Sequence, residues 1–191
     1  GYALSAGPVR ADAIRTDTAG LIVGEGKAPV SGGEMPLYFA RPEKAANPPV
    51  ILVAMEALGL HEYIRDVARR LAKAGAFAVA PDYYFRAGVD LPAQTDFARV
   101  FAVVNAKPDA ELIGDLDAAV AWAKAQGGDV ARLGVVGFCR GGRAVWEYCA
   151  SSRPPRAGVA FYGPLEDPPE QKAIWPKSPL ENPAPPTMRS G

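Results

Sequence analysis

The sequence predicts an α/β chain, built on a mostly parallel sheet with helices on both faces. Two observations carry that prediction. Short, unbroken apolar runs such as Val50-Ile51-Leu52-Val53-Ala54-Met55 and Gly158-Val159-Ala160-Phe161-Tyr162 have the composition of strands buried on both faces. Between such runs lie amphipathic helical stretches, and this alternation implies right-handed crossovers joining parallel neighbours. A chain of 191 residues is long enough to close a two-sided core as one domain.

Residues 1–34 read as a meandering N-terminal arm, mixed polar and dotted with Gly24, Gly26, Gly32 and Gly33, with room for one edge hairpin. Met35 to Phe39 is a short strand, and the first central strand starts after Pro48-Pro49. Beyond Gly59, the apolar residues Ile64, Val67, Ala68, Leu71 and Ala72 recur at helical spacing. Arg65, Asp66, Arg69, Arg70 and Lys73 fall between them, giving an amphipathic helix closed by Gly75. Ala76-Phe77-Ala78-Val79-Ala80 is the next strand, ended by Pro81. A loop with Gly88 and Pro92 and a short helix around Asp96 to Val104 lead into a second amphipathic helix. Its apolar face is Leu112, Ile113, Leu116, Ala119, Val120 and Ala123, and Gly127-Gly128 stops it. Leu133-Gly134-Val135-Val136 is a further strand, followed by a helix starting near Arg143 and the strand at 158–162. The core thus covers residues 35–163. Residues 164–191 are crowded with proline and show no strand or helix pattern, which predicts an extended tail.

Composition narrows the classes of partner. The 21 basic and 21 acidic residues cancel, so no basic field invites nucleic acid or an anionic membrane, and small molecules are the expected ligands. No apolar run is long enough to span a bilayer. The two cysteines, Cys139 and Cys149, are ten residues apart on one expected helix. They are separated by about 15 Å of rise, too far for a disulfide, and Cys149 is most simply a core residue. The opening string Gly1-Tyr2-Ala3-Leu4-Ser5-Ala6-Gly7 reads equally as the end of an export signal or as a frayed terminus, so the compartment stays open between cytoplasmic and exported.

The chemistry centres on Gly137-Phe138-Cys139-Arg140-Gly141-Gly142, set between an apolar strand and a helix. Strand, tight turn with a nucleophile, then helix is the layout of the nucleophile elbow of α/β-hydrolases, here with sulfur in place of the serine oxygen. The glycines let neighbouring backbones pass close to a strained residue. A thiol at a helix N-terminus faces the positive end of the macrodipole, and the N–H of Arg140 is placed to receive an oxyanion. A buried core cysteine ending a strand is the plainer alternative. Triad-type glutamine amidotransferases share Gly-x-Cys-x-Gly but carry a Gln soon after the second glycine, where this chain has Gly142-Arg143-Ala144.

In open parallel sheets ligands bind at the carboxyl ends of the strands. There the sequence puts Glu56, Asp82, Arg86 and Cys139, which are expected to converge on one crevice. Glu56 directly abuts six apolar residues, an expensive place for an ionisable group unless something local pairs with it; the plainer alternative is an N-cap role toward the following helix, although the cap position falls nearer Gly59 to His61.

Together with Ile64-Arg65-Asp66-Val67-Ala68-Arg69-Arg70-Leu71-Ala72 and Ala80-Pro81-Asp82-Tyr83-Tyr84, the segments Ala54-Met55-Glu56-Ala57-Leu58-Gly59 and Gly137 to Gly142 resemble the dienelactone hydrolase family from about Pro49 to Tyr162. The resemblance implies an α/β-hydrolase-like fold and cleavage of small lactones or carboxylic esters, often bearing a carboxylate, without a metal or organic cofactor. It makes Cys139 the nucleophile and Glu56 the acid governing its thiol–thiolate state. It also makes the N–H groups of Ala57 and Arg140 the oxyanion hole and Arg86 a clamp for a substrate carboxylate. The family usually carries a bulkier residue at Ala57, and it completes its triad with an Asp and a His on later loops. This chain has one histidine, His61, expected to be an exposed helix-start residue, and nothing marks Asp167 as the missing acid. The expectation is therefore a core whose last strands are missing. Two functions stay open, a cysteine-dependent ester or lactone hydrolase and a non-hydrolytic, ligand-binding or thiol-reactive short form.

Overall fold

The computed structural model describes residues 15–166 and 188–190. Strands β1 (Leu21–Val30), β2 (Gly33–Pro42), β3 (Pro49–Ala54), β4 (Phe77–Pro81), β5 (Asp129–Phe138), β6 (Ala157–Phe161) and β7 (Met188–Ser190) form one sheet in the order β1-β2-β4-β3-β5-β6-β7. The β1–β2 hairpin runs antiparallel and joins β4 antiparallel, while the pairs from β4 through β3, β5 and β6 to β7 are parallel. The expected α/β architecture is therefore present, with helices α1 (Glu62–Lys73), α2 (Phe97–Asn105), α3 (Asp109–Ala125) and α4 (Arg140–Cys149).

Strand β2 shows why helices cover both faces. Successive strand residues point to opposite sides of a sheet. Tyr38 lies under Arg65 and Arg69 of α1, with the Arg65 guanidinium 5.0 Å from its ring centre. The next residue, Phe39, packs on Trp122 of α3, ring centres 5.3 Å apart. Helix α4 shares the α3 side and rests on β5 and β6. In the middle, Val50, Leu52, Val53 and Ala54 of β3 are wholly buried, as the unbroken apolar run requires.

The edge hairpin for which the residues before Met35 leave room is present, its first strand ten residues long and paired along its length with β2. The structure corrects two expectations. The face of α1 that carries Asp66 and Arg69 is not a solvent face. Asp66 is 1% and Arg69 7% exposed, because the backbone at Thr16 lies across them, its N–H donating to Asp66 at 2.5 Å and its carbonyl accepting from Arg69 at 2.9 Å. The proline-rich tail does contain a strand. Three residues at β7 pair parallel with Gly158, Val159 and Ala160 of β6. So short a strand has no room for periodicity, and it is the unpaired backbone edge of β6 that defines it.

Candidate active site

The turn between β5 and α4 is the most constrained point of the chain. Cys139 has φ +52° and ψ −119°, a region that a non-glycine residue holds only at a cost of about 1–3 kcal/mol and only where its surroundings impose it. The surroundings do so from both sides. The Cys139 N–H donates to the Phe161 carbonyl of β6 at 2.9 Å, and its own carbonyl accepts from the Arg143 N–H at 3.2 Å. Gly137 and Gly141 make the turn sterically possible. A Cβ on Gly137 would collide with the Gly141 carbonyl, and one on Gly141 would collide with the Ala54 carbonyl at the end of β3. Helix α4 thereby starts flush against the strand ends, with partly exposed Cys139 at its N-cap and Arg140 as its first residue.

Glu56 follows β3 in a tight turn, its carbonyl accepting from the Gly59 N–H at 3.2 Å. The preceding Met55 carbonyl is fixed by the buried Tyr83 hydroxyl at 2.6 Å. Burial pushes that hydroxyl well above its ordinary range, and the nearby charges of Asp82, Cys139 and Glu56 add to the effect, so Tyr83 stays a donor. A Cβ on Gly141, two residues after Cys139, would meet the carbonyls of both Ala54 and Met55, so Glu56, the residue after Met55, leaves β3 against the start of α4. Ala57 is buried next to Glu56.

An aromatic rim surrounds this point. Phe138 stacks on Phe161, ring centres 5.0 Å apart, meets Tyr63 edge-on at 5.7 Å, and lies 6.4 Å from Tyr162. Tyr162 itself has φ +41° and is 68% exposed. Cys139 and Tyr162 are the two non-glycine residues with positive φ among the described residues, and both are here. The sequence reading has Phe138 in the elbow turn and Phe161 and Tyr162 in the following strand, and gives no sign that their rings meet.

Asp82 lines a cleft of about 350 Å³ with Leu37, Gly59, Leu60, Arg65 and Leu91, so it borders the turn that follows Glu56. Burial, reinforced by Asp90, raises the Asp82 carboxyl. Arg86 is committed elsewhere. It forms a two-pronged pair with Asp115 at 2.7 and 2.8 Å and donates to the Ser31 carbonyl at 2.6 and 2.8 Å, with Glu111 at 3.4 Å. A guanidinium has five N–H donors, and these contacts engage all of them. The expectation for His61 is corrected. It is half-buried, and its Nε2 lies 2.8 Å from Glu56 Oε1. Asp167 lies outside the described residues. Among the described residues no group of His, Cys, Asp and Glu is arranged to hold a metal ion, and no helix is long and apolar enough to cross a membrane.

Comparison with known proteins decides the family. The sequence matches the dienelactone hydrolase family over residues 35–181. The chain belongs to the dienelactone hydrolase family. A protein of Methylorubrum extorquens with the provisional name carboxymethylenebutenolidase is 47% identical over 184 residues, covering 95% of this chain and 62% of its own length. An Escherichia coli K12 protein with the same provisional name is 39% identical over 183 residues, covering 95% of this chain and 66% of its own. This dienelactone hydrolase family chain thus spans somewhat under two thirds of those relatives. The crystal structure of a provisionally named dienelactone hydrolase from Klebsiella pneumoniae superposes with a TM-score of 0.79 at 41% identity, over 85% of this chain and 67% of that one.

Proposed function

We propose that this dienelactone hydrolase family chain carries the nucleophilic half of a cysteine-dependent hydrolase of small lactones or carboxylic esters. The strained, doubly hydrogen-bonded Cys139 at the N-terminus of α4 is the observation that supports this most. Such strain is retained where a nucleophile must stand clear of its own backbone. In this reading the Cys139 thiol gives its proton to the Glu56 carboxylate and the thiolate attacks the ester carbonyl. The oxyanion is received by the N–H groups of Ala57 and Arg140. Collapse of that intermediate forms a thioester at Sγ, and the departing alkoxide takes the proton from Glu56. With a lactone, the alkoxide stays tethered to the acyl group. The aromatic rim of Tyr63, Phe138 and Tyr162 suits a flat, conjugated acyl group.

Release of the acyl group needs a base that activates water. The single histidine of these 191 residues is His61, and its Nε2 is already paired with Glu56. Mixing the chain with a p-nitrophenyl ester is therefore expected to release about one equivalent of nitrophenol in a burst, with acyl mass on Cys139 and negligible steady turnover. Cys139→Ala should abolish the burst. Sustained turnover would show instead that the chain assembles a complete hydrolytic site, and absence of both burst and adduct would favour a ligand-binding form.

A further inference from the structure

His61 has a use that helix α1 does not explain. It occupies the N-cap of α1, where Ser, Thr, Asp or Asn normally accept a hydrogen bond from the first turn. The His61 side chain makes no capping bond. Its Nε2 turns back across the Gly59 turn to Glu56 Oε1 at 2.8 Å. Neither ring face nor carboxylate is left to wander. The imidazole lies nearly parallel to Tyr63, ring centres 6.2 Å apart and planes 21° from each other, and Tyr63 in turn meets Phe138, the residue preceding Cys139. Glu56 and His61 are buried to the same degree, their side chains 22% and 23% exposed, so their bond is partly shielded from water.

We propose that His61 is a positioning residue for Glu56: by holding Oε1 it fixes the carboxylate so that Oε2 is presented to the Cys139 thiol. The proposal rests on the reading in which Glu56 accepts the Cys139 proton. A carboxylate with both oxygens free rotates among several orientations, of which few accept a thiol proton. One oxygen held by a charge-assisted bond removes that freedom. His61 touches neither substrate nor sulfur in this scheme and acts through Glu56 alone.

Alkylation of Cys139 by iodoacetamide, resolved by peptide mass, reads thiolate formation without requiring turnover. His61→Ala should slow labelling by about tenfold, the factor expected for loss of one hydrogen bond to a charged group. His61→Gln, which keeps an amide donor, should restore most of the rate. In a Glu56→Gln background His61→Ala should have no further effect, as a pair acting in series requires. Thermal unfolding of each variant checks that the labelling rates are read on folded chains. If Glu56→Gln slows labelling and His61→Ala does not, the positioning role fails while the base reading stands. If His61→Ala slows labelling equally in both backgrounds, His61 acts by another route and the proposal is overturned. If Glu56→Gln leaves the rate unchanged, the underlying reading of Glu56 fails, and the proposal with it.

Discussion

Cys139 and Cys149 stand at the two ends of α4, and their surroundings separate their chemistry. Cys149 is 1% exposed, packed where even a Cβ on Gly158 would press on its sulfur, and burial pushes its thiol up to about 11. Cys139 is partly exposed at the positive end of the helix. At pH 8 iodoacetamide should therefore modify Cys139 first and leave Cys149 until the chain unfolds, as peptide mass mapping can read. Equal labelling of both in the folded chain would mean that α4 is not packed on β6 as described. Arg86 calls for a different experiment. Arg86→Ala strips the nearly buried Asp115 of its two-pronged partner while Lys107 remains at 2.5 Å. The expected loss is roughly 1.5–3 kcal/mol of stability, read in urea unfolding, with no selective effect on carboxylate-bearing substrates. The sequence could place Arg86 after β4, at the correct end of the sheet. It could not show Asp115, 29 residues further on, reaching it from α3. The same limit hid His61, because a five-residue separation across a glycine turn says nothing about whether two side chains turn toward each other.

At the scale of elements, α1 shows what helical periodicity does and does not reveal. The apolar stripe through Ile64, Ala68 and Ala72 is buried as its spacing requires. The stripe cannot say whether another segment covers the opposite face, and here the backbone at Thr16 does. That cover has a titration signature. Burial alone would raise the Asp66 carboxyl, but the bond from Thr16 and the charges of Arg70 and Arg69 outweigh it and hold the group below its usual range. A carboxyl depressed in the folded state contributes stability above its unfolded value, near 4, and loses that contribution as pH falls through the folded value. Urea midpoints should accordingly drop as pH falls below about 4, and Asp66→Asn should flatten that drop while lowering stability at pH 7. Asp82, raised by burial, carries the opposite sign. Its contribution is complete below the unfolded value and declines as pH rises through the folded one, so Asp82→Asn should raise stability at pH 7. A native-like acid limb in Asp66→Asn would show that Thr16 does not lie on α1 in solution.

Across the whole molecule, β3 and β4 were the most legible strands because each is a continuous apolar run, and burial on both faces is what such a run encodes. The two sheet edges were less legible. Strand β1 alternates half-buried and exposed positions around Gly24 and Gly26, and β7 is three residues long, so pairing with a neighbour defines both more than their own composition does. That difference should appear in native-state hydrogen exchange, since amides in the middle of a sheet open only with the whole fold whereas edges open locally. The amides of Leu52, Val53, Val79 and Val135 sit in strands paired on both sides among wholly or nearly buried residues, and they should exchange slowest, at a rate set by global unfolding. Amides of β1 and of Met188–Ser190 should exchange faster and with weaker denaturant dependence. The informative amide is that of Cys139. It donates to Phe161 of β6, one strand in from the β7 edge, while the glycines beneath it press α4 onto Ala54 of central β3. If the strained turn is held by the centre of the sheet, Cys139 should be protected with the slow group even when β7 opens. Exchange of Cys139 in step with β7 would mean that the edge governs the nucleophile, and that the strain at φ +52° relaxes whenever the last strand leaves.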